Sequence, residues 1–343
     1  MRQIRVLVVE DSLVFRELMV QNLNKDPAIT VVATAKDPFE AREAILKHKP
    51  DVMTLDIEMP KMNGIDFLKM LMPKNPIPVV MISSLSDKVF DALNAGAVDF
   101  VAKPQAADKE QLAEFIKNEL PVKIKVASIA KLGNRKRVPL EVPIQPMNAS
   151  KQDVVIAIGA STGGTEAIAT LLKEFGPDLP GVVIVQHMPK GFTEMYASRL
   201  NRQCGLVVKE ACHGDKVMPG QVLIAPGGDA HMSLVRGSDG SYQVAVRKGE
   251  KVNGHCPSVE VLFNSVAEVA KDKAVGIILT GMGGDGAQGL LKMRKAGART
   301  IGQDESTCVV YGMPKVAYDL GAVEYQEKLS DITKRLYQLL GKM

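Results

Sequence analysis

Two stretches of this chain alternate short, β-branched apolar runs with longer amphipathic ones, and a basic, proline-bearing segment separates them. That alternation constrains the fold more than any other feature, because parallel strands can only be joined through a crossover, usually a helix. In the first stretch, residues 5–9, 29–35, 51–56, 78–83 and 98–102 are short apolar runs bounded by turn residues. Such runs suit strands buried on both faces of a parallel sheet. Between them, Phe15, Leu18, Met19 and Leu23 share one helical face. Asp37-Pro38 reads as an N-cap followed by proline at the first helical position, and Gly96 is placed to end a helix. Five βα units in residues 1–120 predict a doubly wound α/β domain.

The alternation fails over residues 121–152, which hold Pro121, Pro139, Pro143 and Pro146, seven lysines or arginines and one acid, Glu141. We expect a solvated linker there. It lacks the aromatic residues that stack on bases, so nucleic acid is not an expected partner. A second αβ series follows over residues 153–343, with strands at 153–159, 182–186 and 274–280 and a helix at 165–175. Within it, Pro219-Gly220, Pro226-Gly227-Gly228 and Asp239-Gly240 predict β-hairpins inserted over 207–247. The formal charge of +4 (43 basic minus 39 acidic residues) is too small to demand a polyanionic partner. Cys204, Cys212, Cys256 and Cys308 show neither C-x-x-C pairing nor disulfide-like density. The N-terminal apolar run closes at Glu10-Asp11, too short for a signal peptide, and no run reaches a membrane span. A cytoplasmic location is expected.

In the first series, Glu10-Asp11 follow strand one, Asp56 ends strand three, Ser83 ends strand four and Lys103-Pro104 follow strand five. Ligands of open parallel sheets collect outside those carboxyl ends. Crowded carboxylates repel, and a hard cation such as Mg²⁺ resolves the repulsion. The combination suits an aspartyl phosphate: Asp56 as phosphoryl acceptor, Lys103 as counter-charge and Ser83 as a hydroxyl that reorients on the new phosphate. Val8-Val9-Glu10-Asp11-Ser12, Leu55-Asp56-Ile57-Glu58-Met59-Pro60, Asn63-Gly64 and Ala102-Lys103-Pro104 resemble the response-regulator receiver domain, whose fold is flavodoxin-like. The resemblance implies phosphorylation at Asp56. It also implies Mg²⁺ bound by Glu10, Asp11, Asp56 and the backbone carbonyl of Glu58, and an aromatic switch at Phe100.

In the second series, Gly159-Ala160-Ser161-Thr162-Gly163-Gly164 joins a strand to a helix and fits the G-x-S-x-G turn that raises a serine from a sheet edge. Glycine-rich turns also cradle phosphates, so a nucleotide-dependent transferase is a second reading. The loop, however, has neither dinucleotide-fingerprint nor P-loop spacing. His187 ends the next strand, and Asp285 lies in the Gly281-Met282-Gly283-Gly284-Asp285-Gly286 loop after a later one. A hydroxyl, an imidazole and a carboxylate at one sheet edge can form a Ser–His–Asp relay, here in the order Ser161, His187, Asp285. His213, His231 and His255 read as structural residues. Arg199 and Arg202 read equally as a solvated face or as contacts to an acidic substrate.

Ala160-Ser161-Thr162-Gly163-Gly164-Thr165-Glu166, Gln186-His187-Met188, Ala225-Pro226-Gly227-Gly228, Cys256-Pro257-Ser258-Val259, the Thr280 to Gly286 loop, Gln303-Asp304 and Met313-Pro314 resemble the catalytic domain of the CheB methylesterases, an α/β parallel-sheet hydrolase. The resemblance implies hydrolysis of glutamate γ-methyl esters on chemoreceptors, with backbone N–H groups of Thr162 and Met282 as oxyanion hole and no cofactor in this domain. It leaves deamidation of receptor glutamines open. It implies methylated chemoreceptors as substrate partners, reached at their cytoplasmic part, and a chemotaxis histidine kinase as phosphodonor. The unphosphorylated receiver is expected to block the Ser161 edge. A receiver-regulated DNA-binding response regulator is the alternative, disfavoured because a second αβ series stands where a recognition-helix module would be.

Overall fold

The computed structural model describes residues 2–84, 87–104, 112, 115–132 and 153–343. The chain divides into two compact units, Met1–Asn134 and Arg135–Met343.

In the first unit, β1 (Ile4–Val9), α1 (Leu13–Leu23), β2 (Ile29–Ala35), α2 (Pro38–His48), β3 (Val52–Asp56), α3 (Gly64–Leu71), β4 (Val79–Ser83), α4 (Lys88–Asn94) and β5 (Asp99–Ala102) follow one another. All strand pairs are parallel, in the order β2-β1-β3-β4-β5. That is the flavodoxin-like doubly wound order, with its switch point between β1 and β3. Strands β1, β3 and β4 are buried almost throughout, which is why they read as continuous apolar runs. The Asp37 side chain accepts from the N–H groups of Phe39 and Glu40 and caps α2. Gly96, at φ +113°, closes α4. Gly64 opens α3 so close to β3 that a methyl group there would lie 2.1 Å from the Asp56 carbonyl oxygen.

One boundary is corrected. A π-helical turn, Phe115–Glu119, leads into α5 (Leu120–Ser128), where Pro121 occupies the first turn, a position at which its missing N–H costs nothing. Leu120, Pro121, Ile124, Val126 and Ala127 are buried, so the first unit extends beyond residue 120. The remainder of the expected linker, 133–152, lies outside the described residues.

The second unit contains β6 (Val155–Ala160), α6 (Gly164–Glu174), β7 (Gly181–Gln186), α7 (Phe192–Asn201), β8 (Val207–Glu210), β9 (Gln221–Ile224), β10 (Ala230–Arg236), β11 (Tyr242–Lys248), α8 (Val259–Val269), β12 (Ala274–Ile278), α9 (Ala287–Lys295), β13 (Arg299–Gln303), α10 (Met313–Asp319), β14 (Tyr325–Glu327) and α11 (Leu329–Lys342). Seven strands form one parallel sheet in the order β14-β13-β12-β6-β7-β9-β8.

The expectation of inserted hairpins holds only for β10 and β11, which pair antiparallel as a separate sheet. Strands β8 and β9 instead continue the parallel sheet. The chain between them returns along the hairpin: Val217 N donates to Tyr242 O, Gly214 N to Val244 O, and Val244 N to Asp215 O. Pro219-Gly220 thus turns the chain into β9 rather than joining two antiparallel strands.

Helix α8 shapes the neighbourhood of the central strands. Phe263 is fully buried and lies against Gly159, Gly286 and Gly289, where added methyl groups would come within 3.2, 3.5 and 2.7 Å of its side-chain atoms. Phe263→Ala would leave a cavity beneath β6 and is expected to cost about 3–5 kcal/mol of second-unit stability, measurable by urea denaturation.

Candidate active site and phosphoryl-acceptor pocket

Ser161 and His187 each follow a strand end, and those ends, Ala160 and Gln186, are paired across β6 and β7. His187 N donates to Ala160 O at 3.1 Å, so the pairing continues to the edge. On the other side Ser161 N donates to Thr280 O at 3.0 Å. Ser161 is therefore flanked by the imidazole-bearing edge on one side and the glycine loop of residues 281–286 on the other. The approach of that loop is close: a methyl group at Gly281 would lie 2.7 Å from Ser161 Cβ. Gly163 supplies the sharp entry into α6 with φ +79°, and Gly164 N donates to Ser161 O at 2.7 Å, so the helix starts directly after the serine.

The His187–Asp285 link is made: Nε2 lies 2.8 Å from Asp285 Oδ2. Asp285 is buried, and its carboxylate also accepts from Ser258 Oγ at 2.7 Å, Asn253 Nδ2 at 2.9 Å and the backbone N–H groups of Val259 at 2.7 Å and Glu260 at 3.3 Å. Burial alone would raise its pKa, but the hydrogen bonds from His187, Asn253 and Ser258 outweigh burial and hold it down to about 2. Its contribution to stability is present above the ordinary 3.8 and is lost as pH falls through about 2.

The other ring nitrogen, Nδ1, is buried and has no hydrogen-bond partner. The closing bond to Ser161 Oγ is thus not made in this structure. With Nε2 committed to the carboxylate, Nδ1 is the nitrogen left for a proton from the serine, the reverse of the chymotrypsin arrangement. Thr162 is buried at the start of the turn, its carbonyl accepting from Thr280 Oγ1 at 3.0 Å, and Met282 is exposed beside Gly281.

In the first unit, Glu10, Asp11 and Asp56 present carboxylate oxygens within 4.8 Å of one another. Lys103 Nζ donates to both Glu10 oxygens at 2.9 Å and to Asp56 Oδ2. Glu58 N donates to Asp56 Oδ1 at 3.0 Å, and the Glu58 side chain points into solvent. Burial, then the Asp56 charge, raises the Glu10 pKa from 4.5 to about 7 against the pull of Lys103. Two buried carboxylates sharing one ammonium leave excess negative charge among hard oxygen donors, which is the donor set Mg²⁺ takes. Ser83 is buried at the end of β4, its hydroxyl donating to Ser84 O at 2.8 Å. Phe100 is buried, its ring 6.4 Å from that of Phe90 in an edge-on contact.

Known proteins match both units. The CheB methylesterase family matches residues 156–336, and the response regulator receiver domain matches residues 6–117. The chain belongs to the CheB methylesterase family. A protein-glutamate methylesterase/protein-glutamine glutaminase from Syntrophomonas wolfei is 60% identical over 343 residues, covering 100% of this chain and 99% of the relative. One from Syntrophotalea carbinolica is 50% identical, covering 99% of each chain. Among solved structures, the CheB methylesterase catalytic domain of Thermotoga maritima matches with a TM-score of 0.53 and 38% identity, covering 54% of this chain and 98% of that one. The receiver-regulated DNA-binding alternative falls, since the region after the first unit is a CheB methylesterase domain. No helix among the described residues is long and apolar enough to cross a membrane.

Several residues that shape the site have no role in it that the sequence reveals: Gln186 and Ser258 stand there only within motifs, and His255 reads as structural. Gln186 Nε2 donates to the carbonyls of Ser161 at 3.0 Å and His187 at 3.1 Å and braces the two edges. Asn253 and Ser258 hold Asp285, and the His255 ring stacks on His187 with centroids 3.7 Å apart. The available signal was Asn253-Gly254, a strong turn dipeptide immediately before a histidine. His231 is structural, as expected: Nδ1 accepts from Ser258 N at 3.1 Å and Nε2 lies 2.8 Å from Glu250 O. His213 and Arg202 are exposed, and Arg199 is half-buried.

Because the folded-state pKa of Glu10 lies above its ordinary value, its contribution is fully present below pH 4.5 and is lost as pH rises through about 7. With divalent cations chelated, the first unit is expected to lose roughly 1–3 kcal/mol across that window. Glu10→Gln flattens the dependence, which denaturant titrations at both ends of the window will show.

Proposed function

We propose that this chain is a phosphorylation-regulated esterase that hydrolyses glutamate γ-methyl esters on chemoreceptors to glutamate and methanol in chemotaxis adaptation, and that the same site deamidates receptor glutamines. The observation carrying the reading is the buried His187–Asp285 hydrogen bond with an unpartnered Nδ1 one strand away from Ser161. The names of the relatives supply the substrate class.

Ser161 Oγ attacks the ester carbonyl carbon while its proton passes to His187 Nδ1. Asp285 accepts from Nε2 throughout and stabilises the imidazolium. The carbonyl oxygen, now anionic, is held by the N–H groups of Thr162 and Met282, each such donor lowering the barrier by about 3–4 kcal/mol. Collapse breaks the bond to the methoxy oxygen, which leaves as methanol with the proton from His187. Water then attacks the acyl-serine with His187 as base, freeing glutamate and regenerating Ser161.

Asp56 is the phosphoryl acceptor, with a chemotaxis histidine kinase as donor. Glu10, Asp11, Asp56 and the Glu58 carbonyl would hold Mg²⁺, which supplies positive charge against the phosphoryl oxygens. Lys103 pairs with Asp56 and Glu10 before transfer and is placed to follow the new charge. Ser83 offers its hydroxyl to the phosphate, and Phe100 changes rotamer with it. The phosphate adds nearly two negative charges where carboxylates already compete, so the pocket must rearrange. In the unphosphorylated state the receiver restrains the esterase, and the protein works in the cytoplasm, where the methylated parts of membrane receptors are reached.

Methanol release from methyl-labelled receptor membranes tests the reading. Ser161→Ala should lower turnover on the order of 10⁶-fold, and Asp285→Asn on the order of 10³–10⁴-fold by disfavouring the working tautomer. Retained turnover in Ser161→Ala overturns the esterase mechanism. A small-molecule phosphodonor should accelerate the wild type and leave Asp56→Asn unchanged, and equal responses overturn the regulatory part.

A further inference from the structure

Residues 252–255 lie outside every strand and helix of the second unit, yet two side chains from this turn close on the reacting pair. Val252 N donates to His255 O and His255 N to Val252 O, both at 3.0 Å. The residues between them, Asn253 at φ +53° and Gly254 at φ +81°, are both left-handed. That is the backbone of a tight two-residue turn of the I′ kind, which asparagine and glycine adopt most easily. From it, Asn253 Nδ2 reaches Asp285 Oδ1 at 2.9 Å, and the imidazole of His255 lies on that of His187 with planes 12° apart and centroids 3.7 Å apart.

We propose that His255 is a positioning residue for the ester hydrolysis proposed above, its ring forming the flat wall that sets the plane of His187. An imidazole held by one hydrogen bond can still rotate about that bond and swing its second nitrogen away. His187 is held in this way, since Nε2 is bonded to Asp285 and Nδ1 to nothing. Ring-on-ring contact across a whole face removes the remaining rotation at no cost in hydrogen bonds, and so keeps Nδ1 on the side where Ser161 approaches. The turn thus serves both members of the pair: Asn253 fixes the carboxylate and His255 fixes the ring that the carboxylate orients. Nothing in this role requires His255 to exchange a proton, so a hydrocarbon ring of similar shape should serve.

The full-length protein carrying His255→Ala, His255→Phe or Ser161→Ala is assayed for labelled methanol release from methylated receptor membranes, with kcat, KM and thermal midpoint recorded. His255→Ala is expected to lose kcat on the order of 10–100-fold with KM and thermal midpoint nearly unchanged, the scale of loss for a displaced catalytic group. His255→Phe is expected to recover turnover to within a few-fold of wild type. An unchanged kcat in His255→Ala overturns the proposal. So does a His255→Phe variant as slow as His255→Ala, because the imidazole itself would then be required. Should His255→Ala fail to fold, the phenylalanine variant alone decides: near-native kcat supports stacking and a large loss refutes it. Ser161→Ala separates this question from the broader one, since activity there would sink the esterase mechanism whatever the His255 variants do.

Discussion

A carboxylate removed from water is tolerable only when donors converge on it, and in the second unit Asp285 gathers them from three separate segments. The end of β7 contributes an imidazole, the turn at 252–255 an amide, and the start of α8 a hydroxyl and two backbone N–H groups. Ser258 serves twice, since its hydroxyl also caps α8 by accepting from Glu260 N. His231 in turn accepts from the N–H of Ser258 and ties this cap to the β10–β11 hairpin. The geometry around the serine is thus largely the solution to one electrostatic problem. The same hydrogen bonds that make the buried charge affordable hold the imidazole in one tautomer.

The first unit poses a similar problem and leaves it partly unsolved. Glu10 and Asp56 are as deeply buried as Asp285, but they share the ammonium of Lys103 and few other donors. The contrast appears in the proton affinities, with Asp285 pulled down to about 2 and Glu10 pushed up to about 7. Environments that drive like groups apart in this way assign them different tasks. The satisfied carboxylate is a fixed support, whereas the under-satisfied pair is poised to respond to any change of charge at the same rim.

Much of this was legible in the chain. The strands of the first unit fall within a residue of their apolar runs, because strands buried on both faces leave no ambiguity of period. Glycine-rich turns marked both Ser161 and Asp285, since only small residues allow such close approach. Three features were less legible. Pro121 reads either as the start of the linker or as a kink in a helix that continues, since proline in a first helical turn is compatible with continuation, and the apolar face of α5 was masked by Lys123 and Lys125. Residues 207–224 carry hairpin punctuation but join the parallel sheet, because the chain returns along the β10–β11 hairpin before β9 pairs parallel with β8 and with the distant β7. His255 reads as a structural residue in the sequence, because its stacking partner, His187, lies 68 residues away and leaves no local pattern.

The pairing of Ala160 with Gln186 has a consequence for how this domain can vary in length. Nucleophile and base project from neighbouring positions of a rigid ladder, not from independent loops. One residue inserted into β6 or β7 would turn Ser161 or His187 onto the opposite face of the sheet, because side chains alternate with every residue. Additions to the connection at 175–180, at the far end of both strands, leave that alternation intact. Lineages of this domain should therefore accumulate insertions and deletions at one end of the sheet and almost none in the two strands that lead to the serine and the histidine.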